Sequence, residues 1–170
     1  MRKSLDSLYD AAAVLAALFM IGTLVMVLTG IAGRSFNFHV RGTDAYAGYM
    51  MAGSGFLALA HTLKRGEHIR VTLILQAVGR SASRALEIWS LVAAVALSAL
   101  FAFFSVRLAW QSLQFNDIST GNDATPLWIP QLSMAFGTLV MLVAFIDELV
   151  LEVRGKRKPR DTGGEALHSE

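Results

Sequence analysis

Four long apolar stretches alternate with short polar ones along the chain. Residues Ala11 to Gly33, Ala45 to Leu63, Ile88 to Val106 and Leu127 to Ile146 contain no Asp, Glu, Lys or Arg and run for 23, 19, 19 and 20 residues. At about 1.5 Å per helical residue each covers roughly 28–35 Å, enough for the hydrocarbon layer of a bilayer. The pattern predicts an all-α membrane protein with four transmembrane helices. A cleaved secretory signal is the rival reading of the first run. That run exceeds the usual apolar core of about 7–15 residues and no small-residue cleavage site follows it, so it is expected to stay as an anchor.

Between the second and third runs the pattern changes. The segment KRGEHIRVTLIL, Lys64 to Leu75, begins with clustered charges and turns apolar. Val71, Ile74, Leu75 and Val78 follow the i, i+3, i+4, i+7 stripe of an amphipathic helix, which places an interfacial helix at about residues 67–79. A strand there would leave an unpaired edge in or near lipid. Gly79, Ser81 and Ser83 are stop and start signals for the third helix, which is expected to continue past Arg107 to Gln114. A link from Arg34 to Asp44 turns at Gly42. The loop NDISTGNDATP, Asn116 to Pro126, is rich in turn formers. Pro126 and Pro130 stand at the start of the last run, where a missing amide donor costs least. Residues 1–154 are thus expected to form one domain, and the polar stretch from Gly155 to Glu170, with KRKPR, to be disordered.

Composition agrees with a lipid setting: 54% of the 170 residues are hydrophobic, 16% are charged and the mean hydropathy is +0.50. Soluble domains carry about a quarter charged residues. The absence of cysteine excludes disulfides, thiol nucleophiles and cysteine-ligated metals. A net charge of +2 gives no case for nucleic acid. The position of the charge is more informative. Twelve of the fifteen Lys and Arg lie near the amino terminus, between Lys64 and Arg84, or after Glu152, whereas Arg34, Arg41 and Arg107 are alone on the other side. The positive-inside rule then puts both termini and the interfacial helix in the cytoplasm. Trp89, Trp110, Trp128, Tyr9, Tyr46 and Tyr49 fall near span ends, where amphipathic rings prefer the interface.

The chemistry of a carrier or an enzyme is missing. Ion-coupled carriers place ionisable groups near the midplane, and here all lie outside or at the ends of the four runs. Thr23, Thr29, Ser54, Ser98 and Thr138 are the scattered interior hydroxyls, of a kind that commonly bonds to the carbonyls of its own helix. No paired-helix repeat, nucleophile, paired-carboxylate or phosphate-loop pattern is present. His61 and His68 share a face only if the helix continues through Gly66, and His39 and His168 lie elsewhere, short of the three or four ligands a metal wants. Ala45, Gly48, Ala52 and Gly55 recur on one face of the second run, a pattern that lets another helix approach closely, either from this chain or from a partner. Asp147, Glu148 and Glu152 close the last helix, as a solvated end or paired with Lys64, Arg65 or Arg70.

The residues LAHTLKRGEHIRVTLIL resemble the end of the second span in the small membrane (Q) subunit of tripartite ATP-independent periplasmic (TRAP) transporters. Arg65, Gly66, His68, Ile69 and Val71 fill that family's places for arginine, glycine, histidine, an apolar residue and valine before a surface helix. TPLWIP is a second match, through Thr125, Pro126, Ile129 and Pro130 at the outer start of the last span, followed by Gly137. Asp44 replaces a common glutamate and Ala135 a common proline. The resemblance implies a scaffold in the bacterial inner membrane that packs beside a large membrane (M) subunit and helps dock a periplasmic binding (P) protein during sodium-coupled uptake of an organic acid, such as a dicarboxylate or acidic sugar. It implies no substrate, metal or cofactor site in this chain, with sodium on the large subunit and membrane lipids as further partners. A four-span assembly factor or sensor is the alternative. A small self-contained exporter fits less well, because it would want a membrane-embedded carboxylate.

Overall fold

The computed structural model describes residues 2–38, 40–65 and 80–155. These form four α-helices: α1 over Arg2–Ser35, α2 over Thr43–Arg65, α3 over Arg80–Gln114 and α4 over Trp128–Val153. The expected interfacial helix at 67–79, and the tail beyond Gly155, lie outside the described residues. Among the described residues an isolated bridge between Ile118 and Pro126 is the sole extended pairing.

Helix ends follow from the residues that can turn left-handed. Asn37 (φ 56°) and Asn116 (φ 53°) stop α1 and α3, and Gly155 (φ 63°) follows α4. At the first two, an amide reaches back five residues, Phe38 N–H to the Gly33 carbonyl (3.0 Å) and Asp117 N–H to the Ser112 carbonyl (3.0 Å), which satisfies a carbonyl the helix leaves open. At the start of α4, Pro130 is the third helical residue, still within the turn whose amides need no intrahelical acceptor.

Among the described residues, three helices are long and apolar enough to cross a membrane, over Leu5–Ser35, Ala82–Gln114 and Trp128–Val153. The second, α2, is less apolar because glycines, Ser54, two tyrosines and His61 interrupt it. Like α4, it has a neighbour on each side. The helices lie in the order α1, α2, α4, α3: α1 packs mainly on α2, α2 on α4, and the α3 backbone approaches only that of α4. This is an open row rather than a closed four-helix bundle. Most of the surface of α1 and α3 is consequently open and apolar, from Val14 and Leu24 on one edge to Leu97 and Phe103 on the other.

Small residues let the row close up. A Cβ on Gly137 of α4 would sit 2.6 Å from the backbone carbon and oxygen of Phe56 on α2. On Gly53 of α2 it would lie 2.8 Å from the Phe19 ring of α1 and 3.1 Å from Ser133 Oγ of α4. Ser98, Ala102, Ser105, Ala109 and Ser112 are buried at spacings of three and four along α3 and supply its seam with α4. In lipid, where apolar burial gives little drive, such close backbone approach and dispersion supply the adhesion. Tyr9, Ala12, Ala60, Leu63, Val140 and Ala144 form a buried cluster joining α1, α2 and α4 near the start of α1.

Candidate interaction surfaces

Four of the interior hydroxyls serve the helices that carry them. Thr23 donates to the Phe19 carbonyl (2.9 Å), Thr29 to Val25 (2.7 Å), Ser98 to Val95 (3.1 Å) and Thr138 to Met134 (3.0 Å). Among the described residues no group of three or more His, Asp or Glu could hold a metal ion.

The first surface is the α3–α4 loop. Ser119 N–H donates to the Thr125 carbonyl (2.8 Å) and Leu127 N–H to the Asp117 carbonyl (2.9 Å), so the loop folds back as a narrow hairpin. Its Asp123 is the fastening. One carboxylate oxygen accepts from Ser119 Oγ (2.8 Å) and the other from the Tyr49 hydroxyl of α2 (3.0 Å). Thr125 Oγ1 and the Tyr46 hydroxyl share a hydrogen bond (3.2 Å), and the rings of Tyr46 and Tyr49 meet edge to face at 6.3 Å. Gly42, at φ 78°, passes so near that a Cβ would be 2.7 Å from that of Asp123. Partial removal from water pushes the Asp123 carboxyl up, but hydrogen bonds from Ser119, Thr125, its own amide and Tyr49 outweigh this and hold it down at about 2.

The sequence singled out Thr125, Pro126, Ile129 and Pro130 here. Thr125 is part of the fastening, Pro126 sits in the bridge, Pro130 lies in the first turn of α4 and Ile129 is 48% exposed. It missed Asp123 and the joint role of Tyr46 and Tyr49. Two tyrosines three apart at a helix start, opposite a loop with an acid, are a detectable signal, although their meeting depends on the fold.

The second surface is the small-residue face of α2. Gly48, Ala52 and Gly55 are exposed and Ala45 half-buried, and a Cβ on Gly48 or Gly55 would meet nothing within 4 Å. The glycine used internally is Gly53, on the other side of the same helix. The described helices thus leave this face open. The small-residue seam on α3 was equally visible in the spacing of Ser98, Ala102, Ser105, Ala109 and Ser112, and was not singled out.

The third region is the end where α1 begins and α2 and α4 finish. His61 Nδ1 lies 3.8 Å from Asp10 Oδ1. Glu148 and Glu152 are buried rather than solvated. The side chains of Lys64, Arg65 and Arg70, their expected partners, lie outside the described side chains, although Arg65 is the last residue of α2. Gly66, His68, Ile69 and Val71 fall outside the described residues as well.

A row of apolar helices whose polar contacts between elements lie at its ends, and in which the inner helix α2 bares a strip of small residues, is a helical membrane subunit suited to association. Residues 23–155 match the family model for tripartite ATP-independent periplasmic transporters, DctQ component, and the chain belongs to that family. It is therefore an inner-membrane component of a transporter complex and not an enzyme. No curated protein matches the chain.

Proposed function

We propose that this chain is the fixed scaffold of a sodium-coupled uptake system for an organic acid. All four helices span the membrane, at about 11–33, 45–63, 88–106 and 127–146, with both termini and a surface helix at 67–79 on the cytoplasmic side. For α2, 23 residues long, two flanking helices compensate for its weaker apolarity. The exposed face of Ala45, Gly48, Ala52 and Gly55 seats a helix of the large M subunit. The fastened α3–α4 loop faces the periplasm and gives the P protein a rigid contact. Sodium and substrate are carried by the large subunit.

The observation that carries this reading is the open strip on α2. A glycine-lined face left exposed on an inner helix of the row lets another helix approach its backbone closely. Charge supports the orientation, since the α1–α2 and α3–α4 connections hold few basic residues. The test is co-purification followed by transport. A tagged chain should bring down a larger, many-spanning protein, and sodium-driven uptake by that protein with the P protein should require this chain. Uptake by this chain alone in liposomes, or full uptake without it, would overturn the proposal.

A further inference from the structure

The last turns of α1, the first residues of α2, and Phe38 and Val40 between them line a half-open cavity of about 350 Å³. That is the lower range of ligand-sized pockets. Its polar lining is Thr29, whose hydroxyl donates to the Val25 carbonyl, with Arg34, Asn37, Thr43 and Asp44, and Phe38 and Val40 give it an apolar wall. Its depth in the membrane follows from the sequence: Arg34 is the first charged residue after the uncharged run of α1. The cavity thus opens where hydrocarbon gives way to headgroups.

Its charges are placed unusually. Arg34 and Asp44 share one cavity, yet among the described residues neither has an ion-pair partner, and they are not paired with each other. Nor do Asn37 and Thr43 hydrogen-bond through their side chains to any described residue. Opposite charges on flexible stems in a common recess would ordinarily close on one another. Here Gly30 and Gly33 keep the floor low: a Cβ on Gly30 would lie 3.0 Å from Thr43 Oγ1 and 3.9 Å from Asp44 Oδ1. The result is a donor set suited to a phosphate, from Arg34, Asn37 and Thr43, facing a carboxylate suited to an ammonium.

We propose that this cavity binds a phosphoethanolamine group, a phosphate with a primary ammonium two carbons away. Arg34 takes the phosphate and Asp44 accepts hydrogen bonds from the ammonium. Both charges of the ligand are matched, which a purely anionic phosphoglycerol head cannot achieve. A choline head carries the charge but no N–H for Asp44. The apolar wall of Phe38 and Val40 favours a membrane phospholipid as the source, with its glycerol ester beside those side chains, over a soluble phosphoethanolamine.

Native mass spectrometry of the full chain, equilibrated with equal amounts of phosphatidylethanolamine, phosphatidylcholine and phosphatidylglycerol, tests this. Wild type should retain the ethanolamine lipid about threefold over the others, the range expected of one partly exposed charge contact. Asp44→Asn should bring the three to parity, and Arg34→Gln should lower retention of all. Gly30→Leu, which fills the floor, should abolish the preference; if that variant does not fold, the two exposed positions decide alone. Equal retention of the three lipids by wild type, or an unchanged preference in Asp44→Asn, would overturn the proposal. In a second arm, millimolar O-phosphoethanolamine is added. Displacement of the lipid from wild type supports the same recognition with a soluble source, and no displacement supports the lipid.

Discussion

At the scale of single residues, Asp123 controls the α3–α4 loop. Its carboxyl is held at about 2 in the folded chain, below the ordinary aspartate value of about 3.9. A carboxyl depressed by folding stabilises the fold fully above its unfolded value, and that contribution disappears as pH falls towards the folded one. The loop should therefore stay fastened at neutral and mildly acidic pH and loosen between about pH 4 and 2. Hydrogen exchange, corrected for intrinsic rates, should show the Ser119 and Leu127 amides losing protection over that window. Asp123→Asn should show reduced protection already at pH 7. Equal protection in variant and wild type would mean that the hairpin's backbone bonds suffice without the carboxylate. Gly42→Ala tests the other half of the contact: with φ at 78° and a Cβ 2.7 Å from that of Asp123, it should destabilise by about 1 kcal/mol or more in thermal melts. The turn-forming character of this loop was legible in NDISTGNDATP. The partnership of Asp123 with Tyr49 was not, because 74 residues separate them and only the docking of α2 beside α4 brings them together.

At the scale of helices, two classes of glycine look alike in sequence and differ in use. Gly53 and Gly137 face neighbouring helices, whereas Gly48 and Gly55 face away. A helix turns about 100° per residue. Gly53 and Gly55 are therefore on different faces although only Ser54 separates them. Periodicity can gather Ala45, Gly48, Ala52 and Gly55 on one face, but it cannot say whether that face meets this chain or another. A methyl on Gly137 would strike the Phe56 backbone, which has no rotamer to move away in, so Gly137→Ala should cost about 1–3 kcal/mol. Gly48→Ala, into open space, should stay within about 0.5 kcal/mol. A steady-state unfolding series of the isolated chain distinguishes them, and equal effects would contradict the α2–α4 packing. On the α3 seam, Ala102→Leu should separate α3 from α4 at a cost in the same range as Gly137→Ala, about 1–3 kcal/mol. The helix stops were written in the chain at Asn37, Asn116 and Gly155, residues that adopt a left-handed backbone readily.

At the scale of the whole molecule, the four apolar runs announced four helices, but not their order in space. That order depends on which small faces match, and α3 finds α4 while α1 finds α2. A row of this kind cannot bury its own surface as a bundle does, so the open strip on α2 is either covered by lipid or covered by protein. The two alternatives differ in what reaches the strip. A nitroxide attached to a single cysteine is well suited to the question, because the native chain has no cysteine to compete. Placed at Gly55 and, for comparison, at the exposed Leu97 of α3, it should be strongly relaxed by dissolved oxygen in the isolated chain at both positions. In the purified complex the relaxation at position 55 should fall severalfold as a partner helix excludes lipid, and Gly48→Leu should restore it together with the loss of co-purification. If position 55 remains as accessible to oxygen in the complex as in the isolated chain, the strip faces lipid. The large subunit must then join at an edge of the row, where α1 and α3 offer broad aliphatic and aromatic surfaces in place of a small-residue strip.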